Sequence, residues 1–259
     1  SKFLSVFQSY ASMAKSSESF VLLGRALKKL NKLNEAIDAF KRSLDEKNPD
    51  KSILQELIMT YVSANRFDEA ISCFISHIHV LRHSFIFFID FIKLMIEIKR
   101  YQEAIDCISR VIQVHNNKNY LSYSRLLELQ GIVQSNILKA ELLPGKKSVT
   151  INNLSGVQLT ISYSTSNENL KNSLSILENM INAVTDVNPF IQKLKKNMSS
   201  IVYEIGQNYM NLQEREKAIE SFFKSLEYYP KNIQAVISLF DLYKGRYDSE
   251  RCRKVCLDY

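Results

Sequence analysis

The chain has 259 residues, of which 46% are hydrophobic and 24% are charged, and its formal net charge at pH 7 is +7. An excess of this size over such a length is typical of a lysine-rich solvated surface, so we expect no nucleic-acid partner. The sequence shows no signal peptide and no uninterrupted apolar span of about 20 residues. We therefore expect no direct membrane insertion and a cytoplasmic location.

Residues 17–48 predict two amphipathic helices, because apolar residues recur at spacings of three and four along each half. The first half carries Gly24 near its centre, and the second half carries Ala36 and Phe40. The polar stretch at 31–34 is typical of a turn between two antiparallel helices.

This pattern returns at a fixed interval. From Ala36 to Ala70, and from Ala70 to Ala104, the distance along the chain is 34 residues each time. A further copy contains Ala218. In all four copies the alanine follows a small residue or an isoleucine of the first helix by 12 residues, as from 24 to 36 and from 206 to 218. A period of this length predicts helix pairs that stack on one another.

Close packing explains the pattern. Two antiparallel helices approach most closely where one of them offers Gly or Ala, and a bulky residue four positions later fills the adjoining groove. The residues that we predict to pack the repeats are Gly24, Ala36, Phe40, Ala70, Phe74, Ala104, Gly206, Ala218 and Phe222.

The period fails in the middle of the chain. Residues 1–118 hold the regular repeats, whereas 119–188 predict an irregular repeat of two long helices, near 119–141 and 170–184, with an insertion at about 144–167. The insertion is rich in Ser, Thr and Asn. Its apolar residues alternate at 149 and 151 and again at 157, 159 and 161, which predicts a small hairpin, with a disordered loop as the alternative.

Further repeats follow at 189–259. The sequence ends there without a polar capping helix, which a solenoid needs for solubility, so we expect the repeats to continue in a longer chain.

Catalytic and metal-binding patterns are missing from the sequence. Cys252 and Cys256 lie one helical turn apart, but no histidine or further cysteine stands near them, and zinc sites need four ligands. Cys73 and Cys107 occupy the same place in successive repeats, which indicates packing. There is no glycine-rich phosphate loop and no convergent carboxylate pair. We expect no cofactor, no metal and no enzymatic activity.

The segment 85–98 is apolar nearly all round, and a helix of this kind must be covered on every side. It is too short and too charged to span a membrane. Two alternatives remain: the helix is buried inside a tight superhelix, or a partner protein lies against it in the groove that the first helices line. For the second alternative, the predicted contact residues are Phe85, Ile86, Ile89, Lys93 and Ile96.

The spacing of Leu23-Gly24, Leu27, Ala36 and Phe40, repeated at Ile205-Gly206, Tyr209, Ala218 and Phe222, resembles the tetratricopeptide repeat (TPR). The resemblance implies an all-α TPR superhelical solenoid of antiparallel helix pairs, here with one inserted loop or small hairpin. It also implies a non-catalytic scaffold that holds other proteins.

A narrower resemblance rests on the order of the parts. Three regular repeats, a long-helix pair with an insertion, the motif Tyr203-Glu204-Ile205-Gly206 and a final Leu242-Tyr243 are similar to the tetratricopeptide repeat protein 21 family. That family supplies a peripheral subunit of intraflagellar transport complex A. The similarity implies a role in retrograde ciliary transport, in a cilium or flagellum, among the protein subunits of a large complex. The alternative is a TPR scaffold of another large assembly, such as a ubiquitin ligase or a transcription complex.

Overall fold

The computed structural model describes residues 5–6, 9, 13, 16–44, 49–82, 84–114, 120–142, 146–152, 158–183, 189–245 and 248–259. The helices in these ranges are α1 Ser17–Lys29, α2 Leu33–Ser43, α3 Lys51–Ser63, α4 Phe67–Ser76, α5 Ile78–Leu81, α6 Phe85–Glu97, α7 Tyr101–Val114, α8 Tyr120–Glu141, α9 Tyr163–Asn182, α10 Pro189–Asn211, α11 Arg215–Tyr228, α12 Ile233–Lys244 and α13 Ser249–Asp258. The strands β1 Ser148–Asn152 and β2 Gln158–Ser162 form one antiparallel hairpin. The predicted all-α class is confirmed, and the hairpin replaces the alternative of a disordered loop.

The chain divides into two compact units, Ser1–Phe88 and Ile89–Tyr259, and α6 begins in the first and continues in the second. Within each unit, helices pair with their neighbours in sequence. In the first unit α1 packs on α2 and α3 on α4; in the second α8 packs on α9, α10 on α11 and α12 on α13. We call the earlier helix of each pair its first helix and the later one its second helix.

The turns inside the regular pairs share one backbone geometry. Asn31, Asn65, Lys99 and Gln213 have φ angles of 58°, 58°, 61° and 62°, in the left-handed region. The residue after each turn donates its N–H to a carbonyl five positions back, as from Lys32 to Leu27 at 2.9 Å. This pattern is the Schellman motif, which satisfies the last carbonyls of the first helix and reverses the chain.

Close contact between a small and a large residue holds the first helix pair together. A β-carbon added to Gly24 on α1 would lie 2.8 Å from Cε1 of Phe40 on α2, so only glycine fits without a shift of the ring. Ala36 and Phe40 are both fully buried. One turn further, the Ser17 hydroxyl donates to the Ser43 carbonyl at 2.5 Å and joins the two helices again.

The pair α10 and α11 repeats these contacts in the second unit. A β-carbon at Gly206 would lie 2.5 Å from Cε1 of the fully buried Phe222. The Ser225 hydroxyl donates to the Ser199 carbonyl at 2.8 Å, at the positions that match Ser43 and Ser17. Ala218 is fully buried, as are Ala70, Phe74 and Ala104 in their own pairs.

The long-helix pair α8 and α9 proves to be a repeat of the same kind. A β-carbon at Gly131 would lie 2.6 Å from Cγ of Leu170 and 3.0 Å from the Ser166 carbonyl oxygen. Ser173 donates to the Ser124 carbonyl at 2.8 Å, in the place of the serine contacts above. The separation along the chain between the glycine of the first helix and the matching small residue of the second helix is 35 residues in this pair (131 to 166). In a regular pair the same separation is 12 residues. An insertion of 23 residues (35 − 12) therefore separates the two helices.

The second helix of this pair begins earlier than the sequence predicts, at Tyr163 instead of about 170. Ser162 and Thr165 form a capping box, in which each side chain accepts from the other's backbone N–H. Ser166 and Asn167 are buried, where they bond Gly131 and Asn208. The polar composition of this stretch indicated a loop. The hydrogen-bond partners that allow these side chains to be buried are distant in sequence, so the local pattern could not reveal the helix.

The hairpin presents one apolar and one polar face. Val149 pairs with Ile161 and Ile151 with Leu159; Ile151 and Ile161 are buried. Thr150 pairs with Thr160 on the exposed face. The predicted turn of the hairpin and the predicted strand residue 157 lie outside the described residues.

We predict that Gly131→Ala destabilises the protein by about 1–3 kcal/mol, since the added methyl group meets a buried side chain and a backbone oxygen. Gly245→Ala is the matched control: the nearest atom to a β-carbon there is 3.4 Å away, an ordinary contact. Urea unfolding of both variants measures the difference. Equal free energies of unfolding would contradict the close approach of α8 and α9.

We also predict that Gln213→Gly stabilises the protein by about 0.5–1 kcal/mol, because glycine adopts the left-handed turn without the steric cost of a β-carbon. Gln213→Ala keeps the β-carbon and controls for loss of the side chain. It should give no gain in the same unfolding measurement. A gain from both variants would show that the side chain, and not the backbone, limits stability.

Candidate partner-binding surface

An ion pair joins the first helices α1 and α3 in the first unit. Arg25 donates from Nε and Nη2 to the Glu56 carboxylate, at 2.9 Å and 2.5 Å to Oε1. Contacts of this two-donor kind fix orientation as well as charge. Hydrogen bonding to Glu56 raises the pKa of Arg25. Sequence reasoning had not paired the two residues, because they belong to different repeats.

Exposed apolar side chains flank this ion pair. Leu22 lies three residues before Arg25 and Met59 three residues after Glu56, so both share the helix face of the pair. They are 44% and 37% exposed. Ser52 lies on the same face of α3, four residues before Glu56. Ile86 of α6 follows Ser52 by one repeat of 34 residues, so it lies on the equivalent face, and it is 78% exposed. We call the surface formed by Leu22, Met59, Ile86 and the ion pair of Arg25 with Glu56 the first-helix surface.

The structure places the five predicted contact residues of α6 in different environments. Ile86 and Lys93 are exposed, Phe85 and Ile96 are half-buried, and Ile89 is buried. Most of the remaining apolar residues of the helix are fully buried, namely Phe88, Phe91, Ile92 and Met95. The protein itself therefore covers most of this helix and leaves Ile86 and Lys93 exposed.

The second unit carries a buried carboxylate on α8. Glu128 is 5% exposed and forms an ion pair with Arg125. Burial raises the pKa of Glu128, and the positive charges of Arg125 and Lys93 oppose that rise. Glu128 thus has its charge partner, Arg125, on the same helix.

A second carboxylate, Glu204, lies half-buried on α10. Burial raises the pKa of Glu204, and Lys139 opposes the rise. One turn further along α10, Gln207 donates to the Ser238 hydroxyl of α12 at 3.0 Å. Beside this bond lies an open groove of about 420 Å³, lined by Gln207, Met210, Arg215, Ser238, Asp241, Leu242 and Gly245. Sequence reasoning missed this groove, because its residues belong to two repeats and share no motif.

Cys73 and Cys107 carry little reactivity in this arrangement. Burial raises the pKa of Cys73 to about 11 and raises the pKa of Cys107 still further. Thiols held protonated in this way are poor nucleophiles and poor metal ligands. In the parts of the chain that the structure describes, no three His, Cys, Asp or Glu side chains lie close enough to share a metal ion.

No described helix combines the length and the apolar character that crossing a lipid bilayer requires.

We predict that Glu204→Gln raises the free energy of unfolding at neutral pH, because it removes a carboxylate that burial disfavours. The pKa of Glu204 is higher in the folded protein than the ordinary glutamate pKa of about 4.3. The parent therefore loses stability as the pH rises from about 4.3 through the folded-state pKa, because the buried side chain must then ionise. The advantage of the variant should therefore vanish below about pH 4. Urea titrations across this range measure it, with exposed Glu220→Gln as the control. An advantage that is independent of pH would contradict the effect.

Comparisons with known proteins agree with this architecture. The tetratricopeptide repeat family model matches residues 17–49 and 199–232, the two pairs in which Gly24 meets Phe40 and Gly206 meets Phe222. Comparison with curated protein sequences returns no match.

Several solved structures are similar to this chain. MamA is 17% identical over 85% of this chain and 96% of its own, with a TM-score of 0.51. YrrB, described as a TPR protein with an unusual peptide-binding site, is 13% identical over 90% of this chain and 96% of its own, with a TM-score of 0.49. PilF from Pseudomonas aeruginosa is 14% identical over 94% of this chain and 90% of its own, with a TM-score of 0.48.

The sequence matches and the pairing of small with large residues agree on where the repeats lie. Identities this low bear on the fold and leave function open. The chain therefore contains tetratricopeptide repeats at 17–49 and 199–232, and its fold is an all-α solenoid of the TPR type.

Proposed function

We propose that this protein is a non-catalytic scaffold that binds other proteins through its first-helix surface. The observation that carries the proposal is the exposure of Ile86, which is 78% accessible on a helix made mostly of apolar residues. Leu22 and Met59 extend the apolar character of the surface to α1 and α3.

A partner helix or extended segment gains free energy by covering these side chains. At about 25 cal/mol for each Å² of apolar area, a contact of a few hundred Å² contributes several kcal/mol. The ion pair of Arg25 with Glu56 leaves no net charge at the centre of the surface. This composition suits an apolar protein segment with a polar rim and does not suit the phosphate backbone of a nucleic acid.

At a finer level, we propose that the partners are subunits of intraflagellar transport complex A and that the protein acts in retrograde ciliary transport. This assignment rests on the similarity to the tetratricopeptide repeat protein 21 family in the order of repeats, insertion and C-terminal motifs. Its location would then be the cytoplasm and the cilium or flagellum.

Affinity purification with the variant Ile86→Glu tests the scaffold. We expect recovery of partner subunits to fall by about tenfold or more, because a carboxylate would be buried without a partner at the contact. Ile233→Glu is the matched control, since Ile233 is 70% exposed at the start of α12. Both variants should keep the unfolding temperature of the parent.

The identity of the recovered subunits tests the finer assignment. Ciliary transport subunits that are lost with Ile86→Glu would support it. Subunits of a ubiquitin ligase or a transcription complex, with none from cilia, would overturn it and leave the scaffold. Recovery that is equal for both variants and the parent would overturn the first-helix surface.

A further inference from the structure

Neighbouring first helices of this protein contact each other through one recurring pair of polar side chains. Arg25 of α1 donates to Glu56 of α3, and Gln207 of α10 donates to Ser238 of α12. The two residues of each contact are 31 positions apart, so the same two places in the repeat supply the donor and the acceptor. A polar side chain in the acceptor place therefore has its partner on the preceding first helix.

The step from α8 to α10 lacks this contact. Alignment of the repeats on positions 24, 58, 131 and 206 puts Glu204 of α10 in the place of Glu56. The same alignment puts Ile132 of α8 in the place of Arg25. An isoleucine side chain has no donor and no charge, so Glu204 does not receive the partner that Glu56 has.

The packing of α8 on α10 places Ile132 and Glu204 at the same level. Ser135 of α8 donates to Asn208 of α10 at 2.7 Å. Ile132 stands three residues before Ser135, and Glu204 four residues before Asn208, so each lies about one helical turn from this bond on its own helix. Ile132 packs against the apolar core that α9 and α10 share.

Glu204 keeps its charge without a bonded partner. In the described parts of the chain it forms no hydrogen bond and no ion pair through its side chain. Glu128 of α8 lies close enough for the two negative charges to oppose each other, and Arg125 is bonded to Glu128. Lys139 of α8 lowers the pKa of Glu204 by less than burial raises it. A carboxylate that burial disfavours and that no internal contact uses indicates a functional role.

The open space beside Glu204 is the groove of about 420 Å³ along α10 and α12. Gln207, which lines it, stands one turn after Glu204 on the same helix face. The amide oxygen of Gln207 accepts no hydrogen bond from a described residue. Asp241 and Arg215 add one charge of each sign to the lining, so the groove has no surplus cation that could neutralise Glu204.

We propose that Glu204 anchors an arginine side chain of a partner protein, and that the segment carrying this arginine continues into the groove along α10 and α12. A guanidinium has five donors in a fixed fork, so it can reach the Glu204 carboxylate and the Gln207 amide oxygen together, which the compact ammonium of lysine does less well. An apolar residue next to the arginine covers the exposed part of Ile132.

This site lies in the second compact unit and is separate from the first-helix surface. It rests on the proposed scaffold function, to which it adds a second contact with its own chemistry. The arginine supplies the charge that the solenoid itself supplies to Glu56, and Ile132 leaves the place open for it.

Fluorescence anisotropy with the 259-residue chain tests the proposal. The probe is a fluorescein-labelled, capped peptide, Ser-Leu-Arg-Leu-Thr-Ser, and its control has citrulline, which is uncharged and of similar shape, in place of arginine. We expect saturable binding of the arginine peptide, and binding of the citrulline peptide that is weaker by about tenfold or more.

Glu204→Gln removes the charge and keeps the size of the side chain. It should weaken binding of the arginine peptide by about tenfold and leave the two peptides indistinguishable, since the charge and its partner act as one contact. Exposed Glu220→Gln is the matched control and should leave binding within about twofold. Because Glu204→Gln is expected to raise the free energy of unfolding, a loss of binding by this variant cannot come from a loss of fold.

Ile86→Glu separates this site from the first-helix surface and should leave binding of the arginine peptide unchanged. If Ile86→Glu abolishes that binding, the peptide occupies the first-helix surface and the proposal is overturned. It is also overturned if the parent does not bind the arginine peptide, if the citrulline peptide binds equally well, or if the two glutamine variants weaken binding equally. Failure of Ile86→Glu to reduce partner recovery would overturn the first-helix surface alone, so the two failures are distinguishable.

Discussion

The approach of a first helix to its second helix at one point of closest contact is the constraint on which every other part of this protein depends. Gly24 and Gly206 leave room for the rings of Phe40 and Phe222, and a β-carbon at either glycine would enter that room. The distance between the helix axes is set there, and each of the three pairs with a glycine at this point has the adjoining serine contact between its helices.

This constraint acts between helix faces and not along the chain, so it tolerates an insertion between the two helices. In the α8–α9 pair Gly131 meets Leu170 although 23 more residues separate the helices than in a regular pair (35 − 12). Lengthening the connection about threefold costs only about 1 kcal/mol of closure entropy. Buried hydrogen bonds offset such a cost: Ser124 with Ser173, and Asn208 with Ser166. The insertion itself folds into a hairpin and buries Ile151.

The periodic part of the fold could be predicted from the sequence because its contacts recur at constant spacing. Ala36, Ala70, Ala104 and Ala218 are fully buried at the positions where the pattern puts them. The role of Gly131 could not be predicted, since its partners Ser166 and Leu170 lie 35 and 39 residues away and no other pair has that spacing.

The same limit applies to the polar residues and to the surface. Ser166 and Asn167 have the composition of a loop and are buried in α9, where they bond groups on α8 and α10. For α6, the apolar character of nearly every side indicated that the helix must be covered. Only the coordinates distinguish Phe88, fully buried, from Ile86, 78% exposed two residues before it.

The repeats of this chain contain positions whose residues recur, which build the solenoid, and positions whose residues differ from repeat to repeat. The closest-contact position holds Gly or Ile in the five aligned repeats, at 24, 58, 92, 131 and 206. The next position holds Arg25, Met59, Lys93, Ile132 and Gln207, five different side chains. Packing restricts the first set, because each of these residues is buried against the second helix and a β-carbon at any of the three glycines would meet a side chain of that helix. In the second set Arg25, Met59 and Lys93 are exposed, so selection for a partner can act on them without loss of the fold. Ile132 and Gln207 are half-buried and contact other helices. The specificity of a scaffold of this kind therefore resides in its non-repeated residues, and the hairpin is the largest non-repeated element that this chain contains among its described residues.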